Sequence, residues 1–228
     1  MPSRPLPGLS ARQARSLAER WNDDGLWEDI AWLADRFWSA PHDDATVPWH
    51  HLVMAVGNFK RQRGRRLHPA PLHDLRQTKK KRRVRFVIPG VTPHAEVHVD
   101  DPDTWALLSE ALPGSGVATT TALLSALWPD HHVVFDWRVR AAANGLRLHA
   151  GMKLCPGVHP TQTDFGEATF DDYVRVRHWL FATAEQIGEP PVVVERALYE
   201  LSRMIPNDSG LTWALYAAAI ARALDATA

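Results

Sequence analysis

Leu112–Gly116, with the sequence Leu-Pro-Gly-Ser-Gly, combines residue types that could bind a phosphate. Its two glycines permit a tight hairpin between one predicted helix and the next. A backbone without side chains can approach a phosphate closely, and the amides of Gly114 and Gly116 would point outwards at the start of the following helix, where the helix dipole favours an anion. Such a contact would hold a phosphate-bearing ligand by its phosphate alone.

Asp136 is the second candidate for chemistry, 20 residues after Gly116 and directly after the apolar, extended run Val133–Phe135. An aspartate at the start of a helix is a good N-cap. A fixed carboxylate can also stabilise positive charge that develops in a transition state, and can activate water. Both interpretations stay open. Arg138 and Arg140, on the same predicted helix, either contact phosphates or pair with acidic residues of the C-terminal part.

The elements that must position these residues are predicted to be mostly α-helical. Ser10 is a predicted N-cap of a first helix, and another helix begins at Asp136. Further helices are predicted at Leu26–Trp38, Pro48–Val56, Asp103–Leu108, Thr119–Leu127, Phe170–Ile187, Pro191–Met204 and Leu211–Leu224. Alternating residues on either side of Pro89-Gly90 predict one small β hairpin over 83–99. We divide the chain into an N-terminal helical segment (1–47), a core (48–155) and C-terminal helices that pack on the core (156–228).

The Leu112–Gly116 hairpin, the small-residue helix after it and the segment Val133–Arg140 resemble the helix–hairpin–helix DNA glycosylases, including oxoguanine-glycosylase-like bacterial proteins. The resemblance covers about residues 99–145 and extends weakly over 48–98. It implies a helix–hairpin–helix glycosylase-like fold with a β hairpin insertion, and it places Asp136 at the family's catalytic position.

Two residues near the Leu112–Gly116 hairpin and Asp136 affect the activity that the resemblance implies. Family members that also nick DNA carry a lysine two residues after the second hairpin glycine, and Ala118 stands at that position here. The resemblance therefore implies a monofunctional DNA glycosylase, which removes a damaged or modified base and leaves the strand intact. Trp137 follows the aspartate, where the family commonly has Thr or Gly.

The charge distribution supports a DNA partner, although the formal net charge is zero. About a dozen Lys and Arg residues lie between Lys60 and Arg85, with Asp74 as the only acid. Such a segment can concentrate positive potential on one face, or it can be a solvated edge. The residues expected to contact DNA are Gly114, Ser115, Gly116, Ala118, Thr119, Arg61, Arg63, Lys80 and Arg138. Phe59, Gln62 and Trp137 are considered for the base pocket, or for a wedge side chain that fills the gap left in the base stack by the extruded nucleotide. Arg61 is another wedge candidate. The alternative for residues 57–63 is a basic surface loop.

The remaining composition restricts cofactors and location. The single cysteine, Cys155, excludes an internal disulfide and an iron–sulfur cluster. The pairs His94/His98 and His131/His132 are interpreted as surface residues, because no familiar metal-site spacing completes them. We expect no cofactor, apart from a structural monovalent cation at the hairpin that the resemblance implies. Without an apolar run or a signal core, the chain is expected to be a cytoplasmic monomer that binds double-stranded DNA and no membrane.

Two other functions stay open at this point. The first is a non-catalytic helix–hairpin–helix DNA-binding protein, an accessory to repair or to anti-phage defence, in which Asp136 is only a helix cap. The second is a helical scaffold with a relic hairpin. The ten tryptophans either fill a helical core or, in a few cases, line a base pocket.

Overall fold

The computed structural model describes residues 4–22, 25–40, 46–61, 116–163, 168–206 and 210–227. Within these ranges the chain forms eight α-helices and no strand. The helices are α1 (Ala11–Ala18), α2 (Leu26–Ser39), α3 (Thr46–Arg61), α4 (Val117–Leu127), α5 (Trp137–His149), α6 (Phe170–Ile187), α7 (Pro191–Arg203) and α8 (Trp213–Asp225). A mostly α-helical fold, as predicted, is confirmed for this part of the chain.

Local side-chain chemistry determines where several helices begin and end. The Ser10 hydroxyl accepts from the Gln13 backbone N–H and the Gln13 side chain accepts from the Ser10 N–H, which makes a capping box at α1. Thr169 and Asp172 form the same arrangement at α6. Gly188 ends α6 with φ 68°, a left-handed conformation that glycine adopts without steric cost.

The chain divides into two compact units. One unit consists of residues 23–131 and contains α2, α3 and α4. The other combines residues 1–22 with 132–228 and contains α1 and α5–α8. This division differs from the three segments expected from the sequence, because the N-terminal helix packs with helices from the other end of the chain.

In the unit of residues 23–131, the three helices pack against one another around apolar side chains of α2, α3 and α4. These side chains include Ile30, Ala34, Phe37, Leu52, Val56, Leu123 and Leu127, each at most 4% exposed. The indole N–H of Trp38 donates to the Leu127 carbonyl over 3.1 Å, and the Trp38 ring contacts Trp128 edge-on at 5.6 Å. Tryptophans here therefore serve the packing of helices, although Trp32 is 55% exposed.

In the unit that carries both ends of the chain, α7 lies at the centre and contacts α1, α5, α6 and α8. Helices α5 and α8 approach closely at Gly145, where a Cβ atom would lie 3.2 Å from Ile220 Cγ1. The Gln13 amide donates to the Leu224 carbonyl over 2.9 Å and fixes α1 to α8. Trp213 and Trp179 are both buried in this unit.

The predicted bounds of α6, α7 and α8 are confirmed to within two residues. Two predictions were wrong: α3 does not end at Gly57-Asn58 but continues to Arg61. His132, interpreted as a surface residue, is only 2% exposed, because it packs on α6 with its Nδ1 2.6 Å from the Tyr173 hydroxyl. The predicted β hairpin (83–99) and the helix at 103–108 lie outside the described residues. Among the residues that are described, no helix is long and apolar enough to cross a membrane.

Candidate functional site

Asp136 lies at the N-terminus of α5, where the buried extended run Val133–Phe135 ends. Its backbone is extended (φ −129°, ψ 178°), and its Oδ1 accepts hydrogen bonds from the backbone N–H groups of Arg138 (3.0 Å) and Val139 (3.1 Å). The residue is 8% exposed. These contacts fix the carboxylate, and the positive end of the helix dipole stabilises its negative charge. The capping role considered for Asp136 is therefore present in the structure.

The side chains that follow Asp136 form a layer of stacked rings and charge. The Arg138 guanidinium lies over the Trp137 ring, with its carbon 4.5 Å from the ring centroid, and 5.8 Å from the centroid of Tyr199 on α7. Trp137 is 38% exposed, whereas Tyr199 is buried. Arg138 therefore contacts α7 through the ring of Tyr199, two residues after the Asp136 carboxylate that caps α5.

A buried pair of hydroxyls lies next to this layer. Ser202, one turn after Tyr199 on α7, shares a 2.7 Å hydrogen bond with the Tyr216 hydroxyl of α8. Burial raises the pKa of Tyr216 to about 12. The hydrogen bond with Ser202 and the positive charge of Arg138 lower this pKa, and the negative charge of Asp136 raises it. Tyr216 thus keeps its proton at neutral pH within the electrostatic influence of Asp136.

Sequence reasoning missed Tyr199, Ser202 and Tyr216. Tyr199 and Ser202 are three residues apart on a predicted helix and so share a face. The sequence of one helix does not identify the helix that packs on this face. The contact with Tyr216 depends on the packing of α7 with α8, which no local pattern encodes.

Arg140 does not face a phosphate. Its Nε lies 3.0 Å from Asp172 Oδ2, with 6% and 2% of the two side chains exposed. Of the two interpretations of Arg140, pairing with an acid of the C-terminal part is the one observed. The pair belongs to a buried polar cluster in which the Asn144 side-chain oxygen accepts from the Cys155 backbone N–H over 2.9 Å. Burial raises the pKa of the Cys155 thiol from 9.0 to about 12, so the thiol is protonated at neutral pH.

Gly116, the second hairpin glycine, is the N-cap of α4 in the other unit. It is exposed and extended (φ −83°, ψ 179°), and no described atom beyond its chain neighbours and local helix backbone lies within 4 Å of the position that a Cβ would occupy. The backbone of this residue therefore does not require glycine. Ala118 and Thr119 are half-buried in the first turn of α4, and the hairpin residues Gly114 and Ser115 lie outside the described residues.

The expected wedge residues have different positions. Phe59 lies inside α3, is 3% exposed, and its ring centroid is 5.4 Å from that of Trp27. A side chain in this position is part of the core, so we assign no wedge to Phe59. Arg61 is the last residue of α3. Gln62, Arg63 and Lys80 lie outside the described residues.

No protein-family model, curated protein or solved structure matches this chain. No group of three or more His, Cys, Asp or Glu residues that could hold a metal ion occurs in the described part of the chain. The pKa of Tyr216 responds to both the positive charge of Arg138 and the negative charge of Asp136. The site therefore provides one fixed carboxylate, that of Asp136 at the start of α5, near the protonated hydroxyls of Ser202 and Tyr216.

Proposed function

We propose that this chain is a monofunctional DNA N-glycosylase, which hydrolyses the bond between a damaged or modified base and its deoxyribose. The observation that carries the proposal is the Asp136 carboxylate, largely buried and fixed by two backbone N–H groups. Cleavage of an N-glycosidic bond develops positive charge on the sugar. A carboxylate that is already oriented stabilises this charge without reorganising during the reaction.

In this mechanism Asp136 stabilises the oxocarbenium-like transition state and orients or deprotonates the attacking water. Its Oδ1 stays bound to the first turn of α5 throughout, which keeps the negative charge in place. By the resemblance described above, Ala118 replaces the lysine whose amine would attack the sugar. The expected product is therefore an unbroken strand with an abasic site.

Gly116 supports the assignment of DNA as the substrate. Neither its backbone conformation nor its described neighbours demand glycine. A bare backbone at the exposed start of α4 instead leaves room for a group from outside the chain, and a phosphate is the group that a helix N-terminus favours. The target nucleotide must also leave the base stack, which costs a few kcal/mol.

The experiment that tests the proposal is base release from duplexes that each carry one damaged or modified base, followed by alkali to cut abasic sites. Asp136→Asn is the decisive variant, because asparagine caps a helix about as well as aspartate but carries no charge. We expect wild type to give alkali-dependent cleavage of at least one duplex. Asp136→Asn should lower the rate by about 100-fold or more while duplex binding is retained.

Ser10→Ala provides the matched control. It removes a helix cap from the same unit, at a cost of about 1 kcal/mol, and leaves Asp136 intact. Base release should then stay close to that of wild type. Equal activity of Asp136→Asn and wild type would contradict a catalytic Asp136, and cleavage without alkali would contradict a monofunctional enzyme.

One observation favours a second candidate, a non-catalytic DNA-binding protein. The two hydrogen bonds to Asp136 Oδ1 account for an aspartate at this position by capping alone. This candidate predicts tight duplex binding by wild type without release of any base. It also predicts that Asp136→Asn and wild type bind equally.

A further inference from the structure

A cleft of about 510 Å³ opens in the unit that carries both ends of the chain, between the loop after α5 and the N-terminal half of α6. Its volume is in the range of sites that bind ligands. The residues that line it are Met152, Lys153, Leu154, Cys155, Pro156, Val158 and Arg175. It is separate from the groups described around Asp136, none of which lines it.

The loop that forms one wall of the cleft is held in place by buried polar contacts from α5. Arg147 Nε donates to the Lys153 carbonyl over 2.7 Å, and the Cys155 N–H donates to Asn144 Oδ1 over 2.9 Å. The Arg147 guanidinium also lies 4.0 Å from the centroid of the Trp179 ring. The wall is therefore positioned before any ligand arrives, which reduces the entropic cost of binding.

The described residues that line the cleft carry two positive charges and no negative one. Of the seven lining residues, Lys153 and Arg175 are cationic, and none is acidic. Both side chains are exposed, and neither forms an ion pair within the part of the chain that the structure describes. Asp171, one turn before Arg175 on α6, also forms no ion pair with it. Two cations on an open concave surface, with no ion-pair partner among the described residues, attract an anion.

We propose that this cleft is a contact site for the phosphodiester backbone of duplex DNA, in which Lys153 and Arg175 each neutralise one phosphate. The choice of DNA as the partner rests on the proposed function, but the site does not depend on the chemistry at Asp136. Phosphates line the outside of a duplex and can enter an open cleft. Arginine binds them through paired N–H groups, and lysine does so as a point charge. The cleft would therefore strengthen binding without reading sequence.

The test is duplex binding by fluorescence anisotropy over a series of salt concentrations, for wild type and for Lys153→Gln/Arg175→Gln. Each neutralised phosphate contributes about 0.9 to the slope of log K against log salt. We expect the double variant to reduce the slope by about 1.8 and to weaken binding of every sequence alike. The matched control is Arg12→Gln/Arg222→Gln, which removes two exposed cations of the same unit that do not line the cleft. The control should change the slope by much less.

Equal slopes for the cleft variant and the control variant would overturn the proposal, as would a wild type that does not bind duplex DNA at low salt. Titration with inorganic phosphate distinguishes a free anion from the backbone. Phosphate binding that is lost in the cleft variant, with an unchanged DNA slope, would mark a small-anion site and also overturn the proposal. A cleft-dependent slope in a wild type that releases no base would support the site while the glycosylase proposal fails.

Discussion

The buried pair Arg140–Asp172 makes a sharp prediction about stability. Replacing Asp172 by Asn removes a negative charge 3.0 Å from Nε of the Arg140 guanidinium, whose side chain is 6% exposed. Loss of one partner of a buried ion pair typically costs about 3–5 kcal/mol, because the other charge stays desolvated. We therefore expect Asp172→Asn to lower the free energy of unfolding by about this amount.

A second substitution separates the charge from the helix cap. Asp172 Oδ2 also accepts from the Thr169 N–H over 3.2 Å, a contact that an Asn side chain can keep through its amide oxygen. Thr169→Ala removes the hydroxyl that accepts from the Asp172 N–H and leaves the ion pair, so it should cost only about 1 kcal/mol. Arg140→Met/Asp172→Asn removes both charges and should recover at least about 2 kcal/mol relative to Asp172→Asn alone.

Urea denaturation followed by far-ultraviolet circular dichroism measures these differences. Each transition should be fitted separately, because the chain divides into two compact units. With a denaturant dependence of about 1–3 kcal/mol per molar urea, Asp172→Asn should shift the midpoint of its transition by about 1 M or more. A loss below about 1 kcal/mol, or a double variant as unstable as Asp172→Asn, would refute the reasoning.

Gly116→Ser should leave the free energy of unfolding within about 0.5 kcal/mol of wild type, since serine caps helices at least as well as glycine and has open space here. It should weaken duplex binding about 10-fold, or 1.4 kcal/mol, by anisotropy; unchanged binding would contradict a close phosphate approach. The pKa of the Cys155 thiol is about 12 in the folded chain, against an ordinary value of 9.0. This difference adds to the free energy of unfolding fully below pH 9, and the contribution is lost as pH rises towards 12. Between pH 9 and 10 the free energy of unfolding of wild type, from urea denaturation, should therefore fall by up to about 1.4 kcal/mol more than that of Cys155→Ala. An equal pH dependence of the two proteins would show that the thiol does not titrate with unfolding.

The ends of many helices could be predicted because they depend on near neighbours in sequence. Ser10 at the start of α1 and Pro191 at the start of α7 are examples. The end of α3 could not be predicted this way. Gly57 lies inside that helix, where the buried side chains of Val56 and Phe59 on either side offset its poor helix propensity.

The candidate site was only partly accessible from the sequence. Asp136 and its place at a helix start follow from a local pattern, and the structure has both. The partner of Arg140, in contrast, is 32 residues away on α6, and the hydroxyls of Ser202 and Tyr216 come from two further helices. Such pairs form because helices bury their faces together, and the sequence pattern of one helix does not identify its neighbour.

The division of the chain also has a consequence for biosynthesis. A ribosome completes residues 23–131 before it has made the partners of α1, which come from α7 and α8. The unit of α2–α4 can therefore fold during translation. The unit with Asp136 must wait until α7 and α8 emerge, and until then α1 keeps its apolar face exposed. Nascent chains arrested before residue 191 should thus be protease-resistant within α2, α3 and α4 and remain sensitive within α1.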